Sequence, residues 1–346
     1  MEKNEDCLTG QCPPINQDTN SRRVKLSEGS GGKEMQMLIS SLIKDFDRSS
    51  WKNSLDDSAN FQLPSGDFIF ITTDSYVVTP QFFPGGDIGK IAVCGTINDL
   101  VVSGADPLGL SLSLVIEEGF DKDKLEKIMK SISSISSQTK IPIVTGDTKV
   151  MEKGSVDGII INTSGVGISK LPLDLPLEIG DKIIVSGSIG EHGAALLSKR
   201  YELESSIISD SKPLIDELKS IRHLIKKAKD ITRGGLASVI NEIAQNSKKD
   251  FLIEEKLIPV KKEVQALTDI LGIEVYNLAC EGRFICIASK ENSTQVISIL
   301  KKYNETASII GEIISESEGN PYVTIQTRFG KKILSMPSGN IVPRIC

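Results

Sequence analysis

The most unusual reactive group of the chain is the thiol of its last residue, Cys346. The segment before it, residues 335–345, contains two prolines and a glycine, which oppose a helix and favour an extended, mobile backbone. Residues 335–346 reach roughly 35 Å when extended. A thiol on such a tether could receive a chemical group at one place and present it at another. By itself, the pattern fits a cysteine without a role on a disordered end equally well.

Aspartates beside turn residues are the second set of reactive candidates. They lie in the stretches 55–59, 72–75, 96–99, 144–149 and 230–235, as Asp57, Asp74, Asp99, Asp147 and Asp230. A single aspartate of this kind is most often a helix cap or a turn residue. Asp99 is different because its neighbours in the predicted helix are apolar, so we expect a cation to meet it. Several carboxylates from separate loops suit Mg²⁺ bound to a nucleotide, whose phosphate oxygens are further ligands.

Two glycine-rich stretches could hold the phosphates of such a nucleotide. Residues 28–33 and 83–87 each lead into a predicted helix and offer free backbone N–H groups. Neither has the GxxxxGK[ST] spacing of a P-loop, and glycine clusters are more often simple turns.

Composition narrows the class of protein. The chain has 346 residues and a net charge of −6, which favours two domains and argues against a nucleic-acid partner. No apolar run reaches the roughly 18 residues of a membrane span, and the polar N-terminus lacks a secretion signal, so we expect a cytoplasmic protein. The six cysteines are expected to be free thiols. Only two histidines are present, so carboxylates must do most of the chemistry. His192 is predicted to be a helix-start residue or one that supports the site without touching the substrate.

The spacing of apolar residues predicts two domains that each mix strands and helices. We expect a disordered leader at 1–22, a first domain at 23–170, a second at 171–334 and the tail at 335–346. The predicted strands are 68–73, 110–116, 141–144, 158–168, 182–188, 282–288, 308–314 and 322–327. The predicted helices are 33–46, 88–103, 122–138, 212–229, 234–245, 261–271 and 293–303. This order favours an α+β fold built from α/β sandwiches.

Several stretches resemble the HypE family of hydrogenase maturation carbamoyl dehydratases. They are residues 82–90, 95–99, 116–120 and 146–150 and the Pro-Arg-Ile-Cys terminus at 343–346. Many ATP-using relatives share the aspartate motifs, whereas the terminus is specific to this branch of the PurM-like, or aminoimidazole-ribotide synthetase, superfamily. The resemblance implies two PurM-like domains, a homodimer formed through the N-terminal domains, ATP bound at the domain interface, and a flexible C-terminal tail.

The same resemblance implies a reaction. A carbamoyltransferase, HypF, would load a carbamoyl group onto Cys346, and this protein would use ATP to dehydrate it to a thiocyanate. The cyanide ligand of [NiFe] hydrogenases would then pass to an iron-carrying HypC–HypD complex. ATP is required because oxide and hydroxide are poor leaving groups, whereas phosphate leaves readily; positioning and charge neutralisation then supply much of the catalysis.

The resemblance also implies roles for individual residues. Cys346 would carry the group, Glu281 would be the base, and Lys149 would orient the group. Mg²⁺ would be held by Asp57, Asp74, Asp99 and Asp230, and nucleotide contacts would come from these four and from Asp147, Thr148, Thr232 and Gly234. From the residues alone, Glu281 reads more readily as an ion-pair partner of Arg283, and Lys149 as a solvated strand end.

Other functions remain open at this point. Selenophosphate synthetase shares the aspartates but needs a cysteine or selenocysteine in its N-terminal glycine loop, where this chain has Gly32 before Lys33. Thiamine-phosphate kinase and aminoimidazole-ribotide synthetase have no use for a terminal thiol. A non-catalytic scaffold that binds a nucleotide and holds maturation partners would bind ATP without turnover.

Overall fold

The computed structural model describes residues 23–53, 55–339, 342, 345 and 346. The predicted leader 1–22, with Cys7 and Cys12, lies outside the described residues. Within them, no helix is both long and apolar enough to cross a membrane.

The first half of the described chain forms a five-stranded sheet and a small hairpin. Its strands are β1 (Ala59–Gln62), β2 (Phe68–Tyr76), β3 (Phe82–Phe83), β4 (Gly86–Asp87), β5 (Asp106–Glu117), β6 (Ile143–Met151) and β7 (Ile159–Ser169), and its helices are α1 (Lys33–Ile43), α2 (Ile88–Val102) and α3 (Lys122–Thr139). The sheet order is β1-β2-β7-β5-β6, with only β5 and β6 parallel. The hairpin pairs β3 with β4.

The second half forms a seven-stranded sheet. Its strands are β8 (Lys182–Val185), β9 (Ile225–Asp230), β10 (Lys249–Glu254), β11 (Phe284–Ala288), β12 (Ser308–Glu316), β13 (Val323–Thr327) and β14 (Gly330–Ile333), and its helices are α4 (Glu191–Arg200), α5 (Ile215–Ile221), α6 (Gly235–Ser247), α7 (Lys262–Leu271) and α8 (Lys290–Leu300). The sheet order is β14-β13-β10-β12-β8-β11-β9, with only β10 and β13 parallel. The expected mixture of strands and helices in both halves is confirmed.

Alternating side chains explain how the first sheet is covered. In β7 the residues at 159, 161 and 163 are buried and those between them are partly exposed, as a strand with one covered face requires. The helix α3 lays Ile128, Ile132 and Ile135 on one buried stripe. Helices α2 and α3 pack together, and α2 contacts β2 and β7, so one face of the sheet is covered by helices.

The helix α2 also joins the two halves. The Asp87 side chain caps its N-terminus by accepting hydrogen bonds from the backbone N–H groups of Gly89 and Lys90. Nearly every residue of α2 is buried, because it packs on its own sheet and also on β9 and α5 of the second half. Its polar residues Asn98 and Asp99 are therefore held in the interior of the molecule.

One predicted element is wrong. Residues 212–229 form no single helix, because helix α5 ends at Ile221 and strand β9 begins at Ile225. Apolar residues at 214, 218, 221 and 225 keep a helical spacing across this break, which explains the error. In the folded chain, β9 pairs with β11 and its lysines meet carboxylates from other segments, so tertiary contacts outweigh the local pattern. The sequence pattern also missed α4 and the strands β1, β3, β4, β9, β10 and β14.

Candidate active site

Five carboxyl groups from separate elements meet near the junction of the two halves. Asp57 precedes β1, Asp74 lies in β2, Asp99 in α2, Asp230 ends β9, and Glu281 precedes β11. Their charges act on one another: those of Asp57, Asp74 and Asp230 act on Asp99, and those of Asp74 and Asp230 act on Glu281. We call these five residues the acidic crevice. The structure brings together the four aspartates predicted as metal ligands and the predicted base.

A cavity of about 350 Å³ lies beside the acidic crevice. It is lined by Asp57, Asp230 and Thr232, which were predicted to contact metal or nucleotide, and by Gly31 and Gly32 of the first glycine-rich stretch. A larger hollow of about 620 Å³ lies next to α7, but none of the predicted site residues borders it. The predicted chemistry therefore belongs to the smaller cavity.

Burial and mutual repulsion raise the pKa values of these carboxyl groups. For Asp99, Asp230 and Glu281, burial is the largest cause and neighbouring carboxylates add to it, so that each pKa lies well above its ordinary range. Burial also raises the pKa of Asp57, to about 7, although Lys229 opposes the shift. Asp230 Oδ2 and Glu281 Oε1 are buried and have no hydrogen-bond partner within the described residues. An entering cation would relieve both the repulsion and the missing contacts.

Asp99 has a hydroxyl partner inside the protein. In the described part of the chain no cationic side chain pairs with it, and its Oδ2 accepts a 2.7 Å hydrogen bond from the Thr72 hydroxyl. The raised pKa gives the physical reason, because a carboxyl group that keeps its proton can be buried without a counter-ion. The cation expected to meet Asp99, such as Mg²⁺, stays a prediction.

Two lysines of β9 connect the acidic crevice to the rest of the protein. Lys229 Nζ pairs with Asp56 at 2.8 Å and with Asp57, and lies 3.4 Å from Glu242 of α6. Lys227 Nζ pairs with Asp56 at 2.9 Å and with Asp174 at 3.0 Å. Burial opposes ionisation of Asp56, but the two ammonium groups hold its pKa far below the ordinary range. The loop that carries Asp57 is thus fixed by charges from the second half.

The acidic crevice fits Mg²⁺ in chemistry, although its ligands are not assembled. Within the described residues, no group of three or more acidic, histidine or cysteine side chains is arranged to hold a metal ion. The ammonium of Lys229 contacts Asp57, and the Tyr76 hydroxyl donates to Asp74 Oδ2 at 3.1 Å. The donor atoms are nevertheless the carboxylate oxygens that Mg²⁺ prefers, and Asp230 has one oxygen without a partner.

Cys346 lies at the acidic crevice rather than out in solvent. Its thiol is within electrostatic range of Arg233, Glu281 and Asp74, and burial raises the pKa of the thiol to about 12. A backbone carboxylate oxygen of Cys346 accepts a hydrogen bond from the backbone N–H of Val77 at 3.2 Å. The predicted carrier and the predicted base therefore occupy the same region.

The backbone around Glu281 is held by two residues that the sequence did not single out. The carboxylate of Asp210 accepts hydrogen bonds from the backbone N–H groups of Glu281 and Gly282, at 3.3 and 3.2 Å. Asn98 of α2 donates to the Glu281 carbonyl at 3.4 Å. Arg283 is directed elsewhere, to the Ser188 carbonyl and toward Glu191, so the alternative of a Glu281–Arg283 ion pair is not found. Asn98 belongs to the 96–99 motif, next to Asp99, but no sequence pattern indicated a role for Asp210.

Arg233 is a further functional candidate. It lies in the 230–235 stretch, but the sequence pattern indicated no role for it. It is close enough to Cys346 for that thiol to be the largest influence on its pKa, which is raised. A Cβ at Gly31 would lie 2.5 Å from Arg233, so only glycine lets that loop approach so closely. Gly234, a predicted nucleotide contact, lies directly before α6 and has a φ of +80°. The Ser238 hydroxyl of α6 donates to the Gly31 carbonyl, so the first glycine-rich stretch lies against the start of this helix.

The two glycine-rich stretches differ in what their N–H groups do. In the first, the backbone N–H of Lys33 donates to the Pro337 carbonyl of the tail, at 3.0 Å. After the second, the N–H groups of Gly89 and Lys90 are bound by the Asp87 side chain, and the Ser209 N–H donates to the Pro84 carbonyl. The second stretch therefore supplies a helix cap and a loop contact, and its binding of phosphates stays a prediction.

The remaining predicted residues lie on the edge strand β6. Lys149 Nζ pairs with Asp147 Oδ2 at 2.6 Å, and their side chains are 64% and 59% exposed. Thr148 is exposed as well. Register with β5 puts Asp147 and Lys149 on the same sheet face as Ser113 and Val115, opposite the buried face. Within one chain, the structure does not bring these three residues into contact with the acidic crevice.

Known proteins are similar to this chain along nearly its whole length. The N-terminal domain of AIR synthase related proteins matches residues 55–169, and their C-terminal domain matches residues 178–324. Carbamoyl dehydratase HypE of Rhizobium leguminosarum is 41% identical over 342 residues, which is 95% of this chain and 97% of that protein. Carbamoyl dehydratase HypE of Escherichia coli is 36% identical over 339 residues, 93% of this chain and 99% of that protein.

Solved structures of HypE proteins are also similar to this chain. A HypE–HypF complex matches with a TM-score of 0.79 and 39% identity, covering 87% of this chain and 99% of that chain. A HypE structure in complex with ATP matches with a TM-score of 0.76 and 36% identity, covering 94% and 100%. A thiamine monophosphate kinase from Aquifex aeolicus, at 19% identity and a TM-score of 0.62, shares the fold.

Proposed function

The chain belongs to the HypE family of carbamoyl dehydratases, with the two domains of AIR synthase related proteins, and from this premise we propose how its acidic crevice acts. It is an ATP-dependent carbamoyl dehydratase of hydrogenase maturation. We propose that the substrate is a carbamoyl group on Cys346, and that the resulting thiocyanate supplies the cyanide ligand of a [NiFe] hydrogenase. The observation that carries this proposal is the Cys346 thiol lying among Arg233, Glu281 and Asp74.

The reaction converts S–C(=O)–NH₂ into S–C≡N. The carbonyl oxygen accepts the terminal phosphoryl group of ATP and leaves as part of inorganic phosphate, while two protons leave the nitrogen. Because the cargo is tethered to the enzyme, docking makes the reaction intramolecular, and correct orientation alone lowers such barriers by several kcal/mol.

Glu281 is the proposed base for the nitrogen protons. Its side chain is buried, its Oε1 is free of partners among the described residues, and Asp210 holds its backbone. Burial and nearby carboxylates raise its pKa, and a raised pKa makes the ionised carboxylate a stronger base. Arg233 is the proposed cationic group that faces the cargo and steadies charge on the departing oxygen.

Asp57, Asp74, Asp99 and Asp230 are the proposed Mg²⁺ ligands, with Thr232 and Gly234 beside the nucleotide. Bound Mg²⁺ would neutralise charge on the phosphates of ATP. The support within this chain is the set of crowded carboxyl groups, which repel one another when ionised. Lys229 meets Asp57 and Asp56 in the absence of a metal and so keeps that loop in place.

Lys149, Asp147 and Thr148 are proposed to act from a second copy of the chain. They lie on an edge strand of a sheet that, in the described part of the chain, has one face not covered by helices, and this face exposes apolar side chains such as Ile71, 43% exposed. Packing of two such faces against each other would cover these side chains. The proposed homodimer thus joins two N-terminal domains, 23–170, each followed by a C-terminal domain at 171–334.

The proposed partners follow from the path of the cargo. A carbamoyltransferase of the HypF kind loads Cys346, in keeping with the HypE–HypF complex of a relative. A HypC–HypD complex that carries iron is proposed to receive the cyanide, and the proposed location is the cytoplasm.

Intact-mass measurement tests the function. Protein that carries a carbamoyl group on Cys346 should lose the mass of one water after incubation with Mg²⁺ and ATP, whereas Cys346→Ala should never become loaded. ATP binding without that loss would point to a nucleotide-binding scaffold and contradict the proposal. Formation of selenophosphate from selenide and ATP would contradict it as well.

A further inference from the structure

His192 has no place in the chemistry above, yet it touches the tail directly. It belongs to α4, is fully buried, and is the only described histidine in the interior, since His223 is exposed. Its Nε2 lies 2.9 Å from the Ile345 carbonyl oxygen, and its Nδ1 lies 2.8 Å from the Ser209 hydroxyl. The residue before the reactive cysteine is therefore bound by a buried imidazole.

The direction of each hydrogen bond follows from its neighbours. The Ser209 hydroxyl oxygen accepts a hydrogen bond from the backbone N–H of Ser211, at 3.2 Å, so its own proton is available for His192 Nδ1. Burial lowers the pKa of His192 to about 4, so the neutral ring carries one proton. The Ile345 carbonyl oxygen can only accept a hydrogen bond, so the proton of the ring must lie on Nε2. His192 Nε2–H then donates to the Ile345 carbonyl.

Neighbouring residues also pack closely around the contact between His192 and Ile345. Gly193, next in α4, has no side chain, and a Cβ there would lie 3.3 Å from Ile345 Cδ1 and 3.1 Å from Leu278. The Ile345 side chain is 5% exposed. Phe83 packs edge-on against the imidazole, with ring centroids 5.2 Å apart. The Val77 N–H binds the backbone oxygen of Cys346, and His192 binds that of Ile345. These two hydrogen bonds fix the backbone on both sides of the Cys346 Cα.

The loop that orients His192 also holds the proposed base. Ser209 contacts the imidazole, and the next residue, Asp210, binds the backbone N–H groups of Glu281 and Gly282. One short loop thus sets the position of the tail relative to Glu281.

We propose that His192 is a positioning residue, which holds the loaded tail in the acidic crevice by donating a hydrogen bond to the Ile345 carbonyl, while Ser209 fixes its tautomer. Its consequence for dehydration rests on the proposed function, but the docking of the tail does not. Both parts can therefore be tested separately.

Three variants separate the hydrogen bond from the bulk of the ring. His192→Phe keeps the ring and its contact with Phe83 but has no donor. His192→Gln keeps an N–H donor near the position of Nε2 and an acceptor for Ser209. Ser209→Ala leaves the ring free to adopt the other tautomer, and His223→Phe is the matched control at the exposed histidine.

The first measurement is the rate at which iodoacetamide alkylates Cys346 in the unloaded, full-length protein. Cleavage after glutamate gives a peptide, residues 319–346, in which Cys346 is the only cysteine, so mass spectrometry reports this thiol alone. We expect His192→Phe to raise the rate roughly tenfold, the factor that corresponds to one buried hydrogen bond, Ser209→Ala to raise it less, and His192→Gln and His223→Phe to match the unmodified protein. Equal rates for all variants, or equally fast rates for the Phe and Gln variants at His192, would overturn the proposal.

The second measurement is a single turnover of carbamoylated protein with Mg²⁺ and ATP. His192→Phe should be loaded normally by the carbamoyltransferase and then dehydrate more slowly, and His192→Gln should restore the rate. An unchanged dehydration rate in a His192→Phe protein with faster alkylation would remove His192 from the reaction. If the unmodified protein does not dehydrate its cargo, the proposed function fails, while the alkylation rates still decide whether His192 docks the tail. If His192→Phe does not fold, Ser209→Ala provides the same test.

Discussion

Lys229 and Lys149 each pair with a nearby aspartate, but in opposite surroundings. Lys229 is buried at the acidic crevice among Asp56, Asp57 and Glu242, and although burial disfavours its charge, these carboxylates raise its pKa well above the ordinary value. Lys149 lies exposed on the edge strand β6 and has Asp147 beside it. The first pair is fixed by the fold of one chain, whereas the second is left open to solvent.

This difference shows that burial distinguishes the roles of two lysines, which the spacing of residues in the sequence does not. A buried ammonium among carboxylates is structural, because losing it leaves uncompensated charge. An exposed ion pair contributes little to stability, so a role for Lys149 must come from something that meets it. A second copy of the chain, proposed above, is the candidate for that contact.

The largest expected effect comes from mixing two inactive variants. Glu281→Gln and Lys149→Met should each slow dehydration by roughly 10²–10⁴-fold, the range of a lost general base or comparable group. If Lys149 serves the crevice of its partner, an equal mixture of the two variants that has exchanged subunits should regain about a quarter of the activity, because one of two crevices in each mixed dimer is intact. Mass loss from carbamoylated Cys346 is the measurement.

The same mixture distinguishes the alternative. If Lys149 acts within its own chain, every crevice in the mixed dimer carries a defect and no activity returns. ATP binding, followed by calorimetry, should persist in both variants and serves as the control.

The next effect is on stability. Lys229→Met leaves Asp56 and Asp57 without their shared ammonium, so we expect the free energy of unfolding to fall by about 3–5 kcal/mol at pH 8. Urea denaturation with a metal chelator present measures it. Adding Mg²⁺ should recover more stability in this variant than in the unmodified protein, because the metal replaces the missing charge.

The matched control for that variant is Lys149→Met. Because this lysine is largely exposed, its replacement should leave the urea midpoint unchanged. A similar loss of stability in both variants would mean that the contrast between the buried and the exposed lysine is wrong.

A third effect concerns the uncovered face of the first sheet. Ile71→Lys puts a charge on that face and should convert the proposed dimer into monomers, as light scattering coupled to size-exclusion chromatography would show. Dehydration should fall with dimer content, while ATP binding stays. Leu203→Lys, at a similarly exposed apolar position in the second half, is the control and should leave the molecular mass unchanged. A chain that is monomeric before any substitution would contradict the dimer.

The smallest effect is on the docked tail. Burial raises the pKa of Cys346 to about 12, so the docked pose favours the neutral thiol over the thiolate. Docking is therefore unaffected by pH below the pKa of a free cysteine, about 8.5, and weakens as the pH rises above it. We expect the alkylation rate of Cys346 to rise more steeply between pH 8 and 10 than that of a model thiol peptide, and a parallel rise would contradict this.

Most of the fold followed from local pattern. The predicted strand 158–168 and the predicted helix 122–138 match β7 and α3 to within a few residues. The helix predicted at 212–229 failed because Lys227 and Lys229 are buried by carboxylates far away in the chain, which no local window contains. The acidic crevice was predicted through its motifs and the family resemblance, since each motif carries its aspartate at a turn or helix that the sequence reveals.

The sequence by itself determined the chemical inventory: a terminal thiol, an acidic ligand set, a candidate base and a family likeness that names the reaction. Only the tertiary structure decided which groups meet, because proximity depends on how two sheets and α2 pack together. It brought Cys346 beside Glu281, placed Asp210 so that it holds that base, and left Lys149 facing outward. His192 does lie at a helix start, as predicted, but only the structure shows that it contacts the tail. Such contacts join residues more than sixty positions apart, and a local sequence window carries no information about them.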